Sequence, residues 1–563
     1  MTSPTDTPRP QAAAHDRPRR VLPSLWSAGA LGIAAIVLAP ILAVVWIAFG
    51  PMLLGEAQGD AVARLWASTM PRYLRTSIVL MLGVGLLTAL VGTGAAWLVA
   101  RYRFPGARVI EWALLMPLAV PAYVGAYALV DLLEYAGPVQ GFLRDMMGWK
   151  TARDYWFPEI RSLGSAILVL SAALYPYVYL LTRAALREQS GGGEEVAMSL
   201  GVGPFGRFRR VALPLARPAI AAGVAIVMME TVNDFGTVDY FAVQTLTTGI
   251  FTTWLEANSA SGAAQIALVI LALVGMLLLI EKASRRRSRF YLLSSRHRPV
   301  EKLRLPGLAG WIATALCLVP VLMGFVLPAG VILGHALDNA QVWADPGLAL
   351  ALWHTVAVGG IAALVTVAAA VFLVYGVRLS GRSLPRRLMP VTTIGYAAPG
   401  AVLGVGILIP LARLDHWLAD AVEALTPFDI GLVLTGSAFA LVLAYTVRFF
   451  AIAQGAADGA FGRVSPSLPM AARSLGRSPR QVLRDVYAPL VRGSLLSALL
   501  LVFVDCVKEL PATLLLRPFN YDTLATRVHE QASLEQLELA SPGAVLIMGV
   551  GLVAVLLLAR ANR

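Results

Sequence analysis

The 563-residue chain is 58% hydrophobic and only 14% charged, with a mean hydropathy of +0.70 and a formal net charge of +13. Soluble domains carry roughly 25% charged residues, so this composition excludes a soluble enzyme or a nucleic-acid-binding module and predicts a chain that lives in a bilayer. Its long runs are apolar on every side rather than alternating in segments of about ten, which excludes a β-barrel and predicts an all-α polytopic membrane protein.

In chain order, residues 1–24 form a polar tail holding Arg17, Arg19 and Arg20. The apolar run after it starts like a signal sequence but is too long for one, and is expected to stay as an anchor. Uncharged runs predict crossings near 25–49, 76–100, 112–134, 162–182, 218–236 and 257–280, which make a first half over 25–281. A basic linker at 282–304 follows, read as a topology signal with attraction to anionic lipid rather than to nucleic acid. The second half, 305–563, repeats the pattern near 305–334, 350–377, 388–412, 430–447, 493–510 and 539–559, giving about twelve crossings. With both termini placed in the cytoplasm, 35 Lys and Arg fall in cytoplasmic tails and loops, 10 in external segments and one, Lys508, in a span. That excess is the orientation signal of a multi-pass membrane protein with its termini on the cytoplasmic side.

Cys317 and Cys506 lie in separate apolar runs, and His15, His297, His335, His354, His416 and His529 show no ligand spacing. Neither a disulfide framework nor a tight metal cage is expected.

An internal repeat joins the halves. EEVAMSLGVGPFGRFRRVALPL, from Glu194, faces PMAARSLGRSPRQVLRDVYAPL, from Pro469, at an offset of 275, while upstream Pro121 pairs with Pro399 at 278. Six crossings per half put both copies in the same orientation, a parallel repeat whose halves can rock about a shared axis. In the first copy Glu195, Ala197 and Leu200 suit a short helical turn, Gly201 suits the left-handed residue that ends it, and Gly203-Pro204 suits a new helix start. Phe205, Phe208 and Val211 make an apolar face, and Pro214, after Leu213, is expected to interrupt it before the next crossing. The second copy offers Ala471, Ala472, Leu475, Gly476, a Ser478-Pro479 start, Leu483, Val486 and Pro489.

The fifth crossing of each half carries two acids in register, Glu230 with Asp505 and Asp234 with Glu509, each pair spaced i, i+4 and therefore on one helical face. Gly236 and Pro511 follow, where the helices are expected to end or unwind. Intramembrane acids face a cavity or a partner, which leaves two readings: a carboxylate-lined pathway for a cation, or acids solvated near the outer interface or neutralised by Lys508. Tyr175, Tyr177 and Tyr240 are further oxygen donors for such a path, or interfacial anchors.

The duplicated loop, with Glu195, Ala197, a glycine six residues after the acid and Leu213-Pro214 beyond, resembles the EAA loop of ATP-binding-cassette importer permeases. METVNDFGTVDYF, from Met229, and KELPATLLLRPFNYDTLATRV, from Lys508, resemble the ferric-iron importer permeases of the fused two-half type. The resemblance implies the type I permease fold, EAA loops at 194–218 and 469–493, and coupling contacts at Glu195, Ala197, Gly201, Leu213, Pro214, Ala471, Ala472, Gly476 and Pro489. It implies as partners two copies of a cytoplasmic ABC ATPase and a periplasmic ferric-iron-binding protein. Met470 stands where the motif has Glu, and Ala488 replaces the Leu before Pro, so the second loop departs from the pattern. The chain holds no GxxxxGK[ST] loop, so it is expected to be no enzyme and to hold no cofactor, ATP and Mg being bound by the partner. A thiamine importer permease shares this build. A twelve-helix secondary transporter shares the arithmetic but has no need of the paired loops.

Overall fold

Lipid offers a backbone N–H or C=O no partner, so the apolar runs become helices that satisfy those groups internally. The computed structural model describes residues 25–54, 60–189, 192–286, 302–380, 383–393, 395, 398–426 and 431–561. The 1–24 tail and most of the basic linker lie outside the described residues. Among the described residues, eleven helices are long and apolar enough to cross a membrane, and a twelfth crossing arises if the bent pair Ala107–Ala119 and Ala122–Met147, folded by 93°, is one span. Two short strands, Tyr102–Arg103 and Leu303–Arg304, pair in parallel and join the end of the linker to the first half.

Several crossings differ from the expected ones. The crossing placed at 112–134 is broken into the Ala107–Ala113 and Ala122–Leu133 helices, with a 3-10 turn at Met116–Ala119 between them. Its counterpart, placed at 388–412, is a separate Ser383–Thr392 helix followed by an unbroken Gly400–Leu425 helix. Pro121 and Pro399 do sit at matching places, each immediately before its helix, where a missing N–H is harmless. The crossing placed at 430–447 is the Phe439–Gly462 helix, so Arg448 lies inside a span rather than in a loop.

Pro214 and Pro489 do not interrupt their helices. Pro71, Pro214, Pro328 and Pro489 each stand two residues after a five-residue π-helical turn, at Leu65–Thr69, Phe208–Ala212, Leu322–Val326 and Leu483–Tyr487. The wider turn makes room for the ring against the preceding carbonyls, so the helix passes through the proline. Pro204–Asn233 and Pro479–Val507 are consequently continuous rods of 30 and 29 residues. At 1.5 Å per residue each is about 45 Å long.

The first helix of each half packs on the other half. Trp26 of Leu25–Leu53 stacks on Phe372 with ring centroids 4.7 Å apart. Gly406 lies so close to the Pro40 carbonyl that a Cβ there would come within 2.3 Å of the oxygen. In return, Thr314 Oγ1 donates to the Pro105 carbonyl at 2.8 Å, and Gly324 lies against the carbonyl of Ala172.

The repeat extends to single hydrogen bonds. Leu246 N donates to Ser77 Oγ at 2.9 Å and Leu524 N to Thr355 Oγ1 at 2.8 Å, each beside a threonine capping box, Thr245 with Thr248 and Thr523 with Thr526. All these pairs stand 278 apart, so the offset of 275 is confined to the loop and the fifth helix, and the three residues return before Thr523. Ser77→Ala and Thr355→Val each orphan a buried N–H. Each is expected to lower stability by about 1–3 kcal/mol, and the two to add, in thermal unfolding of the detergent-solubilised chain. Unchanged stability in the double variant would show that water satisfies both groups.

Candidate functional site

Both fifth helices stop at their acids. Leu213–Asn233 ends with Asp234 in an extended conformation, and Ala488–Val507 ends at Lys508. The second acid of each pair therefore lies beyond the helix, and the shared helical face expected from i, i+4 spacing does not form. Instead, Asp234 accepts hydrogen bonds from Thr237 N and Oγ1, both at 3.0 Å, and from Val238 N at 3.2 Å, at the start of the Gly236–Tyr240 helix. Glu509 accepts from Ala512 N at 3.2 Å at the start of Pro511–Leu516. Equivalent carboxylates thus tie down equivalent helix starts, where free N–H groups favour negative charge.

Glu230, Asp234, Asp505 and Glu509 come together on one cavity of about 160 Å³ between the halves, with Tyr123, Tyr177, Asn233, Arg448 and Lys508. Lys508 Nζ is 2.8 Å from Asp505 Oδ1, and Arg448 Nη1 is 3.2 Å from Glu509 Oε1. Glu509 is only 5% exposed. Gly400 lies directly against the latter pair, where a Cβ would come within 2.4 Å of both Arg448 Nη1 and Glu509 Oε1. With all six groups ionised, four carboxylates face two cations and the cavity carries −2. The acids thus line one space, and Lys508 pairs with Asp505, whereas Arg448 is the partner of Glu509.

Of the three tyrosines, Tyr177 lines the cavity. Tyr175 packs in a separate cluster, and Tyr240 lies against Tyr127 with Arg161 over its ring. Tyr123 and Asn233 were not anticipated. The Tyr123 hydroxyl and Asn233 Oδ1 are buried without a hydrogen-bond partner, which leaves two more oxygens unmet in the lining. Arg448 was missed because its charge marked the apparent end of an apolar run.

At the far end of each rod is the expected bend. Gly201 has φ +74° and Gly476 φ +80°. Val202 N donates to the Ala197 carbonyl at 2.9 Å and Gly201 N to Met198 at 2.9 Å; Arg477 N donates to Ala472 at 3.1 Å and Gly476 N to Arg473 at 2.9 Å. The same Schellman closure is thus made twice, after the Gly192–Ser199 and Ser467–Ser474 helices. Glu195 and Ala471 are exposed, Ala197 is buried, and Ala472 is half-buried. Leu213 and Pro214 are half-buried and Pro489 exposed, all within the rods.

Leu200 and Leu475, 75% and 82% exposed, stand immediately before the two left-handed glycines, flanked by exposed Phe205 and Met470. An apolar residue is thus left bare at a helix-ending bend in both copies. The bends are seated on the bundle by two aromatic residues 278 apart, Trp97 and Tyr375. Trp97 lies 5.3 Å from Phe208, while Tyr375 lies 5.6 Å from Tyr487 and its hydroxyl donates to the Pro479 carbonyl at 2.6 Å.

The binding-protein-dependent transport system inner membrane component family matches residues 88–289, which contain the first bend and its rod. The chain is 25% identical over 497 residues to the Fe(3+)-transport system permease protein FbpB 2 of Haemophilus influenzae, covering 87% of this chain and 89% of that protein. It is 23% identical over 508 residues to the ferric transport system permease protein FbpB of Actinobacillus pleuropneumoniae, covering 86% and 70%. A shorter match, 29% over 185 residues and 31% of this chain, is to the sulfate transport system permease protein CysT of Salmonella typhimurium.

Proposed function

We propose that this chain, which belongs to the binding-protein-dependent transport system inner membrane components of ABC importers, moves ferric iron across the inner membrane from a periplasmic binding protein. Two copies of a cytoplasmic ATPase dock on the Leu200 and Leu475 bends and bind the ATP and Mg, while the permease itself holds no cofactor and performs no hydrolysis. Both termini lie on the cytoplasmic side.

The observation that carries this reading is the continuity of each bend with the cavity: one rod of about 45 Å has a bare apolar bend at one end and an acid at the other. ATPase closure shifts the bends, and a stiff helix transmits that shift to its far end. Because Asp234 and Glu509 tie each rod to the next short helix, the cavity walls move with it. The two halves then open alternately to either side. Fe(III) is a hard cation that prefers oxygen ligands, and the lining offers carboxylates, tyrosine hydroxyls and an amide at a net −2, suited to brief contact rather than storage.

Glu230→Gln with Asp234→Asn preserves shape and the helix cap while removing the excess charge. In a strain lacking the chromosomal copy, uptake of radiolabelled ferric iron through this variant is expected to fall about tenfold or more, equivalent to ~1.4 kcal/mol in transit. Unchanged iron uptake, or wild-type iron uptake in the deletion strain with thiamine uptake lost, would overturn the cargo. Uptake that persists without the ATPase would overturn the class.

A further inference from the structure

The parallel strand pair builds a second charged cleft, on the membrane face that carries the bends. Register places Arg103 beside Arg304, two exposed cations on adjacent strands. Like charges so placed repel unless an anion lies between them. The strands wall a cavity of about 560 Å³ lined by Tyr102, Arg103, Phe104, Arg108, Glu111 and Lys302 among others.

Among the described residues, Glu111 is the one carboxylate in that lining, and it is already shared. Its Oε1 accepts from Arg187 Nη2 at 2.6 Å and from Arg183 Nη2, and its Oε2 is 3.9 Å from Lys302 Nζ. Among the described residues, Arg183, Arg187 and Lys302 meet one carboxylate, while Arg103 and Arg108 line the same cleft and Arg304 stands beside Arg103. The Lys302 amine is held below the ordinary lysine value, first by burial and then by Arg187, Arg183 and Arg103, in spite of Glu111. That excess of positive charge suits an anion.

The cleft opens beside lipid-facing surface. Gly310 lies against Pro105, so the Gly307–Val321 helix starts at its edge, and Leu308, Trp311 and Val109 are all exposed there. Cations backed by bare apolar residues with an interfacial tryptophan match a headgroup with acyl chains rather than a free ion. We propose that this cleft binds the phosphodiester headgroup of an anionic phospholipid, which clasps the end of the linker to the first half.

The test is native mass spectrometry of the full chain equilibrated in mixed micelles of phosphatidylglycerol and phosphatidylcholine. The wild type is expected to retain phosphatidylglycerol preferentially. Arg103→Gln, Arg108→Gln and Lys302→Gln combined should lower that retention about tenfold or more, since each basic residue near an anionic lipid contributes roughly a fivefold factor. Arg473→Gln with Arg480→Gln, exposed cations at the second bend, should retain the lipid as the wild type does. No preference in the wild type, equal retention by the triple variant, or release of the lipid by millimolar inorganic phosphate would overturn the proposal. A thermal unfolding curve matching wild type confirms that the triple variant is folded.

Discussion

Replacing Gly201 and Gly476 together by valine is expected to abolish recovery of the ATPase with the membrane chain, and iron uptake with it. Both glycines have φ near +75 to +80°. An L-residue there is strained by roughly 1–2 kcal/mol, and a β-branched one by more. Nothing lies within 4 Å of a Cβ at either position, so the effect is conformational rather than steric. The valine chain escapes the strain by opening the Schellman closure on Ala197 and Ala472, which swings Leu200 and Leu475 off the docking surface. Asparagine tolerates the left-handed region, and the asparagine pair should restore much of the activity.

Co-purification of the ATPase and iron uptake measure both outcomes. Glu195→Ala with Gly201→Val disables the first bend alone, and what remains reports the contribution of the second, where Met470 replaces the acid. Wild-type transport through the double valine variant would end the docking assignment.

The other large effect is expected at the buried pair between Arg448 and Glu509. Arg448→Met leaves a 5%-exposed carboxylate without its guanidinium, an uncompensated charge that typically destabilises by about 3–5 kcal/mol. Adding Glu509→Gln removes the stranded charge while keeping an acceptor for Ala512 N, and should recover most of the loss. Thermal unfolding of the two single variants and the double variant closes the cycle. If Arg448→Met alone unfolds like the wild type, the pair does not hold the Phe439–Gly462 helix to the end of the second rod.

How far the sequence could be read followed from the range of the interactions involved. The left-handed glycines, the bends and the helix start at Ser478 were legible because each depends on neighbours within about five residues. The rods were not, because proline as a local signal says break, whereas a π turn two residues upstream and packing along the helix override it. Arg448 failed for a related reason. A charge in an apolar run reads as its end unless the partner is known, and Glu509 is 61 residues away.

By itself the sequence determined the solvent, the helical class, the two parallel halves, the paired bends and the register of four acids, since hydrophobic run length, chain-local turn geometry and duplication need no coordinates. Only the tertiary structure decided that the first helix of each half also packs against the other half, that Asp234 and Glu509 cap helices, and that one cavity collects all four acids with two cations. Those outcomes depend on contacts between residues far apart in the chain. In lipid every apolar helix face is equally content, so the choice of partner rests on close packing at sites such as Gly400 and Gly406 and on pairing of buried charges.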